Sequence, residues 1–131
     1  EGIHIPLALS GPGLSPRRAP WPVSQLDILP TLVHHAGFAF TSGSYPGQRL
    51  DIAPKEDETR RIFSFCWYQN RCGAVIDWPY KYIDNFGISP PEYYDLSKDP
   101  LEKHNIHDQH EDAASEKRDA LMEWVREVRS R

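Results

Sequence analysis

The chain opens with a segment in which most positions are apolar. Residues 3–9 follow this pattern, which is typical of a strand buried on both faces of a parallel sheet covered by helices. Gly11 and Pro12 follow and end the segment sharply. We therefore expect one strand of a parallel sheet at the start, although the rest of the chain contains no matching strand to pair with it.

A helix is predicted next, because Ser24 and Asp27 have the spacing of a capping box and Gly37 supplies a stop. Apolar side chains recur at helical spacing on one face: Leu26, Leu29, Val33 and Ala36. Pro30 cannot donate to the Leu26 carbonyl. It predicts a kink or a first turn that is separate from the rest of the helix.

The second half of the chain shows shorter strand-like segments and one long helical pattern. Strands are predicted at residues 61–68, 72–76, 80–84 and 92–96, and their short connections favour an antiparallel meander. The last segment, about residues 112–129, is amphipathic, with an apolar stripe made by Leu121, Trp124, Val125 and Val128. The isolated chain is therefore predicted to be α+β, with a sheet of about three or four strands packed by a C-terminal helix.

The charge of the chain is mild and evenly spread. The formal net charge is −4, and Lys and Arg are scattered apart from two Arg pairs. A nucleic-acid-binding protein usually presents a concentrated basic face, so we expect no nucleic-acid partner. No apolar run approaches the roughly 20 residues that cross a bilayer, so no membrane segment is predicted. The chain starts at Glu1 without an initiator Met, and we expect it to be part of something longer.

Two cysteines, Cys66 and Cys72, flank a short stretch between two predicted strands. If the stretch is a hairpin, the cysteines face each other across it and could form a disulfide. The alternative is a pair of partly buried free thiols. Two cysteines alone do not identify a redox compartment.

Candidate chemistry is sparse. His104, His107 and His110 have a spacing of three that could place imidazoles on one face for a transition metal, but a solvated turn before the last helix explains them better. We predict no metal site from them. Glu1 and His4, beside the first strand, are candidates for a substrate cleft, unless His4 is satisfied by backbone carbonyls. The sequence has no nucleophile elbow and no Gly-rich phosphate loop, so no catalytic residue is predicted.

Four phrases carry a further signal because of their order along the chain. They are Glu1-Gly2-Ile3-His4-Ile5-Pro6-Leu7 with Ser10-Gly11-Pro12-Gly13, then Val23–Leu32 with its Ser-x-x-Asp-x-x-Pro-Thr pattern, then Trp78-Pro79-Tyr80-Lys81-Tyr82-Ile83, and finally Tyr94-Asp95-Leu96-x-x-Asp99-Pro100-x-Glu102-x-x-Asn105. Together they resemble the C-terminal part of the sulfatase family, within the alkaline phosphatase superfamily. The resemblance spans nearly the whole chain.

This resemblance implies a domain division. Residues 1–59 would be the end of the catalytic α/β domain, with a strand and a helix from its parallel sheet. Residues 60–131 would be a C-terminal antiparallel subdomain with its terminal helix. The Tyr-Asp-Leu phrase would end a strand of that small sheet and lead through a loop to the helix. The expected partner of the chain is the N-terminal catalytic part of the parent enzyme.

The resemblance also implies an activity for the parent, together with what this chain lacks. The parent would hydrolyse sulfate esters by a metal-assisted nucleophilic mechanism, with calcium or another divalent cation and a formylglycine made from a Cys- or Ser-x-Pro-x-Arg motif. Neither Cys66 nor Cys72 fits that motif, and the family's metal-binding motifs do not occur here. We predict that this chain is structural and inactive alone. The family favours a periplasmic or extracellular location.

Two other interpretations stay open at this point. The parent could be a phosphodiesterase, or a phosphoglycerol transferase related to lipoteichoic-acid synthase, because those relatives share several of the phrases. The chain could instead be a stand-alone interaction module. If the parallel neighbours of residues 3–9 are missing, that strand would present unpaired backbone, and self-association through it is expected.

Overall fold

The computed structural model of the protein describes residues 5–16, 18–19, 21–39, 45–53, 60–66 and 71–130. Within these ranges, four strands form one antiparallel sheet in the order β1-β2-β3-β4. The strands are β1 (Arg61–Phe65), β2 (Gly73–Asp77), β3 (Tyr80–Asp84) and β4 (Glu92–Asp95), and the helices are α1 (Ile28–His35) and α2 (Glu111–Arg129). The predicted α+β fragment, with a small meander and a closing helix, is confirmed.

One face of the sheet forms the core together with α2. Pleating puts Val75, Tyr82 and Tyr93 side by side on this face, and each is at most 2% exposed. Leu121 and Val125 of α2 pack against them and remove their apolar surface from water. The opposite side of α2 is charged, and none of the described helices has the length and apolar composition of a membrane span.

Close packing at two points fixes α2 on the sheet. A Cβ added to Gly73 would lie only 3.3 Å from a methyl carbon of Leu121, so a side chain there would push the helix away. The edge strand β1 contributes Phe63, whose ring stacks on Trp124 with 5.3 Å between ring centroids. The helix therefore spans the sheet from its centre to the β1 edge.

The predicted hairpin of β1 and β2 is confirmed in a shorter form. The ladder runs from Arg61 opposite Asp77 to Phe65 opposite Gly73. One residue further along, Cys66 N donates to the Cys72 carbonyl at 2.9 Å, and the two cysteines are joined by a disulfide. Of the alternatives left open by the sequence, the structure therefore has the disulfide. The predicted strand positions 67 and 68 lie outside the described residues.

The strand predicted at residues 3–9 is not formed in its described part, residues 5–9. Ile5, Leu7 and Leu9 are 60%, 46% and 38% exposed. A strand needs a neighbour to satisfy its backbone groups, and the four described strands pair only with one another. The prediction of a buried strand is corrected accordingly, because none of the described strands pairs with this segment.

The helix after the capping box begins as predicted but presents an unexpected face. A separate 3-10 turn, Gln25–Asp27, precedes α1, and Gly37 ends the helix with a φ of 83°. The apolar face of the helix is not buried, since Leu26 and Leu29 are each 46% exposed. Polar contacts on the opposite side of α1 set its orientation, as described next.

Candidate functional site

The loop between β4 and α2 is fastened to the sheet by polar side chains of the Tyr-Asp-Leu phrase. Asp99 Oδ2 accepts a hydrogen bond of 2.7 Å from the His104 backbone N–H. Asn105 Oδ1 accepts one of 2.9 Å from the backbone N–H of Tyr93 in β4. Such bonds satisfy backbone groups that a loop without regular structure would leave unpaired. The phrase thus holds the loop in one conformation.

Two carboxylates of this loop are held in the charged form. Ser97 donates to Asp95, Lys98 lies 2.9 Å from the same carboxylate, and these contacts lower the Asp95 pKa to about 2. Backbone N–H groups of the following turn lower the pKa of Asp99. Neither group is therefore suited to donate a proton at neutral pH.

A buried ion pair lies on the face of the sheet opposite α2. Lys81 of β3 is 3% exposed, and its Nζ lies 2.6 Å from Glu102 Oε2. Burial has the largest single effect on the pKa of Glu102 and raises it, but the hydrogen bond from Lys81 and the attraction of its charge both act in the opposite direction, and the pKa is lowered overall. Glu102 has a φ of 54°, a left-handed conformation that is uncommon for a residue other than Gly. The loop adopts an unfavourable backbone conformation at the residue that meets Lys81.

A groove of about 490 Å³ lies beside this ion pair. One wall comes from the sheet and the loop after it, and includes Trp78, Leu96 and Pro100. The other wall comes from residues 5–7, Arg18 and residues 21–23. The lining is mainly apolar apart from the buried pair and Arg18. The groove therefore offers a mainly apolar packing surface that includes the Lys81–Glu102 ion pair.

A second polar cluster is centred on Asp27 of the Ser-x-x-Asp-x-x-Pro-Thr phrase. Its buried carboxylate accepts hydrogen bonds from the Gln48 backbone N–H, at 2.9 Å, and from the Arg60 guanidinium. Thr31 Oγ1 donates to the Asp27 carbonyl at 2.6 Å and accepts from the Leu50 backbone N–H at 2.9 Å. These bonds tie α1 to the segment 45–50 and to the residue before β1, and they compensate the burial of a charge.

The proline of the same phrase is accommodated by its neighbours. Pro30 leaves the Leu26 carbonyl without its usual helical donor, and Tyr45 Oη donates to that oxygen at 2.8 Å. Gly47 passes so close to the Leu26 carbonyl that a Cβ there would overlap it. The phrase and the segment after α1 therefore form one interlocked unit.

The three candidate histidines lie at the turn before α2 but do not form a metal site. The His104 side chain is 82% exposed, and its ring lies 3.6 Å from Asp99. His107 contacts Asp108, and the His110 ring lies edge-on to Tyr93. Within the described ranges, no three His, Cys, Asp or Glu side chains are grouped so that they could hold a metal ion.

The remaining residues of chemical interest are the two near the N-terminus and the two cysteines. Glu1 and His4, the predicted cleft residues, lie outside the described part of the chain. The sulfurs of Cys66 and Cys72 are used in the disulfide, so neither is an available thiol.

Comparison with known proteins decides the family. The chain is 30% identical over 127 residues to arylsulfatase K of Danio rerio, and the match covers 86% of this chain and 24% of that protein. It is 26% identical over 111 residues to the choline-sulfatase of Rhizobium meliloti, covering 79% of this chain and 21% of that protein. The chain belongs to the sulfatase family. It corresponds to the C-terminal part of a sulfatase.

The fold of the chain also matches a known structure. A solved structure of a sulfatase candidate from Bacteroides thetaiotaomicron matches with a TM-score of 0.60 and 24% identity, covering 79% of this chain and 24% of that structure. No family model matches the sequence. The chain spans about a quarter of the length of the curated sulfatases that it matches.

Sequence reasoning identified the sulfatase phrases but missed two ion pairs that their residues form. It did not connect Lys81 with Glu102, or Asp27 with Arg60. One signal was present, since Lys81 is the single cation in a strand whose other side chains are mostly aromatic or apolar. A lysine in such a strand needs a buried acidic partner, and the nearest acidic phrase follows β4.

Proposed function

We propose that the chain is the C-terminal part of a sulfate-ester hydrolase and that its own role there is structural. Similarity to arylsulfatase K and to choline-sulfatase supports the reaction class. The observation that carries the structural role is the use of the phrase residues: Asp99, Glu102 and Asn105 all hold the loop after β4 against the sheet. Residues used in this way would affect a substrate only through the elements that they position.

We put the junction between the catalytic portion and the C-terminal subdomain at residues 59 and 60. On this proposal, α1 and the segment 45–53 are the last elements of the catalytic portion, while the sheet and α2 form the subdomain. The Asp27–Arg60 pair supports a fixed junction, because Arg60 directly precedes β1 and its side chain is only 15% exposed. A rigid junction would keep the subdomain at a constant position beside the catalytic portion.

The proposed parent enzyme uses a divalent cation, with calcium as the first candidate, and a formylglycine nucleophile. The described residues of this chain do not fit either group. They contain no cluster of metal-ligating side chains, and both cysteines are disulfide-bonded. We therefore assign both groups to the part of a sulfatase that this chain does not span.

Two alternatives are less well supported. A phosphodiesterase or a phosphoglycerol transferase of the same superfamily is not favoured, because the matching curated relatives are sulfatases. A stand-alone interaction module is expected to bury its own apolar elements. Here, Leu29 and Leu32 of α1 and residues 5–9 stay exposed, which fits a part of a larger fold better.

The test uses the complete gene product and two esters with one leaving group, p-nitrophenyl sulfate and p-nitrophenyl phosphate. We expect kcat/KM for the sulfate to exceed that for the phosphate by more than tenfold, which corresponds to about 1.4 kcal/mol of transition-state discrimination. Choline sulfate serves as a second sulfate ester of different shape. A preference for the phosphate, or no hydrolysis of either sulfate ester, would overturn the proposed function.

A further inference from the structure

The helix α1 is amphipathic, but its apolar side faces outward. Leu26, in the turn before α1, and Leu29 and Leu32 fall on one side at helical spacing, and they are 46%, 46% and 50% exposed. The opposite side carries Asp27, Pro30 and Thr31, all of which are buried. A surface helix of a complete globular protein normally has the reverse arrangement. The apolar side of α1 therefore lacks the partner that its sequence is suited to.

The helix cannot simply turn to bury its leucines within this chain. Asp27 and Thr31 hold the buried side through the bonds to Gln48, Leu50 and Arg60. A rotation about the helix axis would break these bonds and leave the Asp27 carboxylate buried without a partner, which is strongly unfavourable. The outward direction of the leucines is thus fixed by the polar contacts.

A fourth apolar side chain continues this surface at the end of the helix. Phe38 is 70% exposed, and its backbone N–H donates to the Val33 carbonyl at 3.1 Å after the turn at Gly37. This bond holds the Phe38 backbone at the C-terminal end of α1. We call Leu26, Leu29, Leu32 and Phe38 the outer α1 surface.

We propose that the outer α1 surface is the docking surface for the remaining part of the sulfatase chain, the portion that the longer relatives have and this chain does not span. This inference rests on the proposed function. The matched relatives are about four times longer than the match, so ample chain exists to cover a surface of this size. The surface carries no charged side chain, so the covering segment is expected to be apolar and uncharged.

A second copy of the chain is a poorer occupant. Three half-exposed leucines and one phenylalanine expose much less than the roughly 800 Å² per partner that a specific interface buries. Packing within one chain has no such requirement, because a covalent connection keeps the two surfaces at a high effective concentration. The small size of the surface therefore favours a partner in the same polypeptide.

Hydroxyl-radical footprinting with mass spectrometry can test this, because it reports side-chain accessibility without requiring activity. We expect Leu29, Leu32 and Phe38 to react at least fivefold more slowly in the complete gene product than in the 131-residue chain. Ile88, which is 61% exposed in a turn outside this surface, is the internal control and should react equally in both. Equal rates for the leucines in the two proteins would overturn the proposal.

A matched pair of variants tests the same surface in another way. Leu29→Asp should leave the melting temperature of the 131-residue chain unchanged within error, and should lower that of the complete gene product by several degrees. The control Ile88→Asp should change neither. An unchanged melting temperature of the complete gene product that carries Leu29→Asp would contradict the proposal. In the footprinting experiment, slower reaction of Leu29, Leu32 and Phe38 at higher concentrations of the 131-residue chain would also contradict the proposal, because it would identify a second copy as the occupant.

The proposed function and the proposed docking surface can be refuted independently of each other. Protected leucines in a gene product that hydrolyses no sulfate ester would overturn the proposed function and support the docking surface. Accessible leucines in an active sulfatase would overturn the docking surface and support the proposed function.

Discussion

The buried Lys81–Glu102 pair gives the sharpest prediction about the stability of the chain. Met is unbranched and close in length to both residues, so Lys81→Met and Glu102→Met each remove one charge with little change of shape. Each single variant leaves the other charge in a site where the side chains are only 4% and 13% exposed. The double variant leaves no charge there.

The separation of the two charged atoms sets the size of the expected effect. At 2.6 Å, two unit charges attract each other by about 6 kcal/mol for an effective dielectric constant of 20. The cost of removing both ions from water offsets most of this attraction, but removing one partner takes away the attraction while the other charge stays buried. We expect each single variant to lower the free energy of unfolding by about 3 kcal/mol and the double variant by only about 1 kcal/mol.

Urea unfolding followed by far-ultraviolet circular dichroism measures these differences, provided that the dependence on urea concentration is the same in all variants. Lys98→Met is the matched control, because the Lys98 side chain is 81% exposed beside Asp95 and its removal should not shift the midpoint measurably. Additive losses in the double variant, or single variants as stable as the parent, would refute the reasoning.

Three further outcomes are expected. Replacing Cys66 and Cys72 together by Ser should lower the free energy of unfolding by about 2 kcal/mol in urea, because the disulfide closes a short loop of six-residue separation in the unfolded chain; unchanged stability would contradict this. Trp124→Ala should lower the free energy of unfolding by about 3 kcal/mol and change the near-ultraviolet circular dichroism, since the indole packs on two phenylalanine rings of β1. A decrease below about 1 kcal/mol, roughly that of a surface substitution, would argue against this packing. Hydrogen bonds lower the pKa of Asp51 and Asp95 to about 2 in the folded chain, below the ordinary value of 3.8, so the unfolded chain binds protons first as the pH falls. The melting temperature should therefore be level above pH 5 and fall between pH 4 and 2, and a rise in that window would contradict the assignment.

The C-terminal half could be predicted from the sequence because its patterns and its contacts agree. Residues 80–84 alternate, and the structure uses that alternation to place Tyr82 on the α2 side and Lys81 on the other. The stripe with Leu121 and Val125 faces the sheet as its helical spacing predicts. Each of these elements is buried against another element of the same chain, so local pattern and final packing give the same answer.

The N-terminal half could not be predicted in the same way, because its apolar patterns are not matched by contacts among the described residues. Residues 5–9 have the composition of a buried strand but find no strand to pair with. The apolar spacing of Leu26 and Leu29 correctly predicts one side of a helix, yet the buried side is chosen by Asp27 and its partners. Periodicity identifies which side chains share a face, whereas burial of that face depends on what the chain provides to cover it.

The candidate site could also be predicted only in part from the sequence. The fastening role of the Tyr-Asp-Leu phrase follows from its turn residues and its resemblance to sulfatases, and Asp99 and Asn105 make the contacts that such a role requires. The partner of Lys81 lies 21 positions away, across a strand and a loop. Pairing over that separation depends on the register of β3 and β4, which the sequence pattern does not specify.

The central claim is that this chain supplies structure to a sulfatase whose reacting groups lie elsewhere. The most direct measurement compares the release of p-nitrophenol from p-nitrophenyl sulfate by the complete gene product and by the 131-residue chain, at equal molar concentration and with calcium present. We predict turnover by the complete gene product and none above a buffer blank by the 131-residue chain. Turnover by the purified 131-residue chain above that blank would contradict the claim.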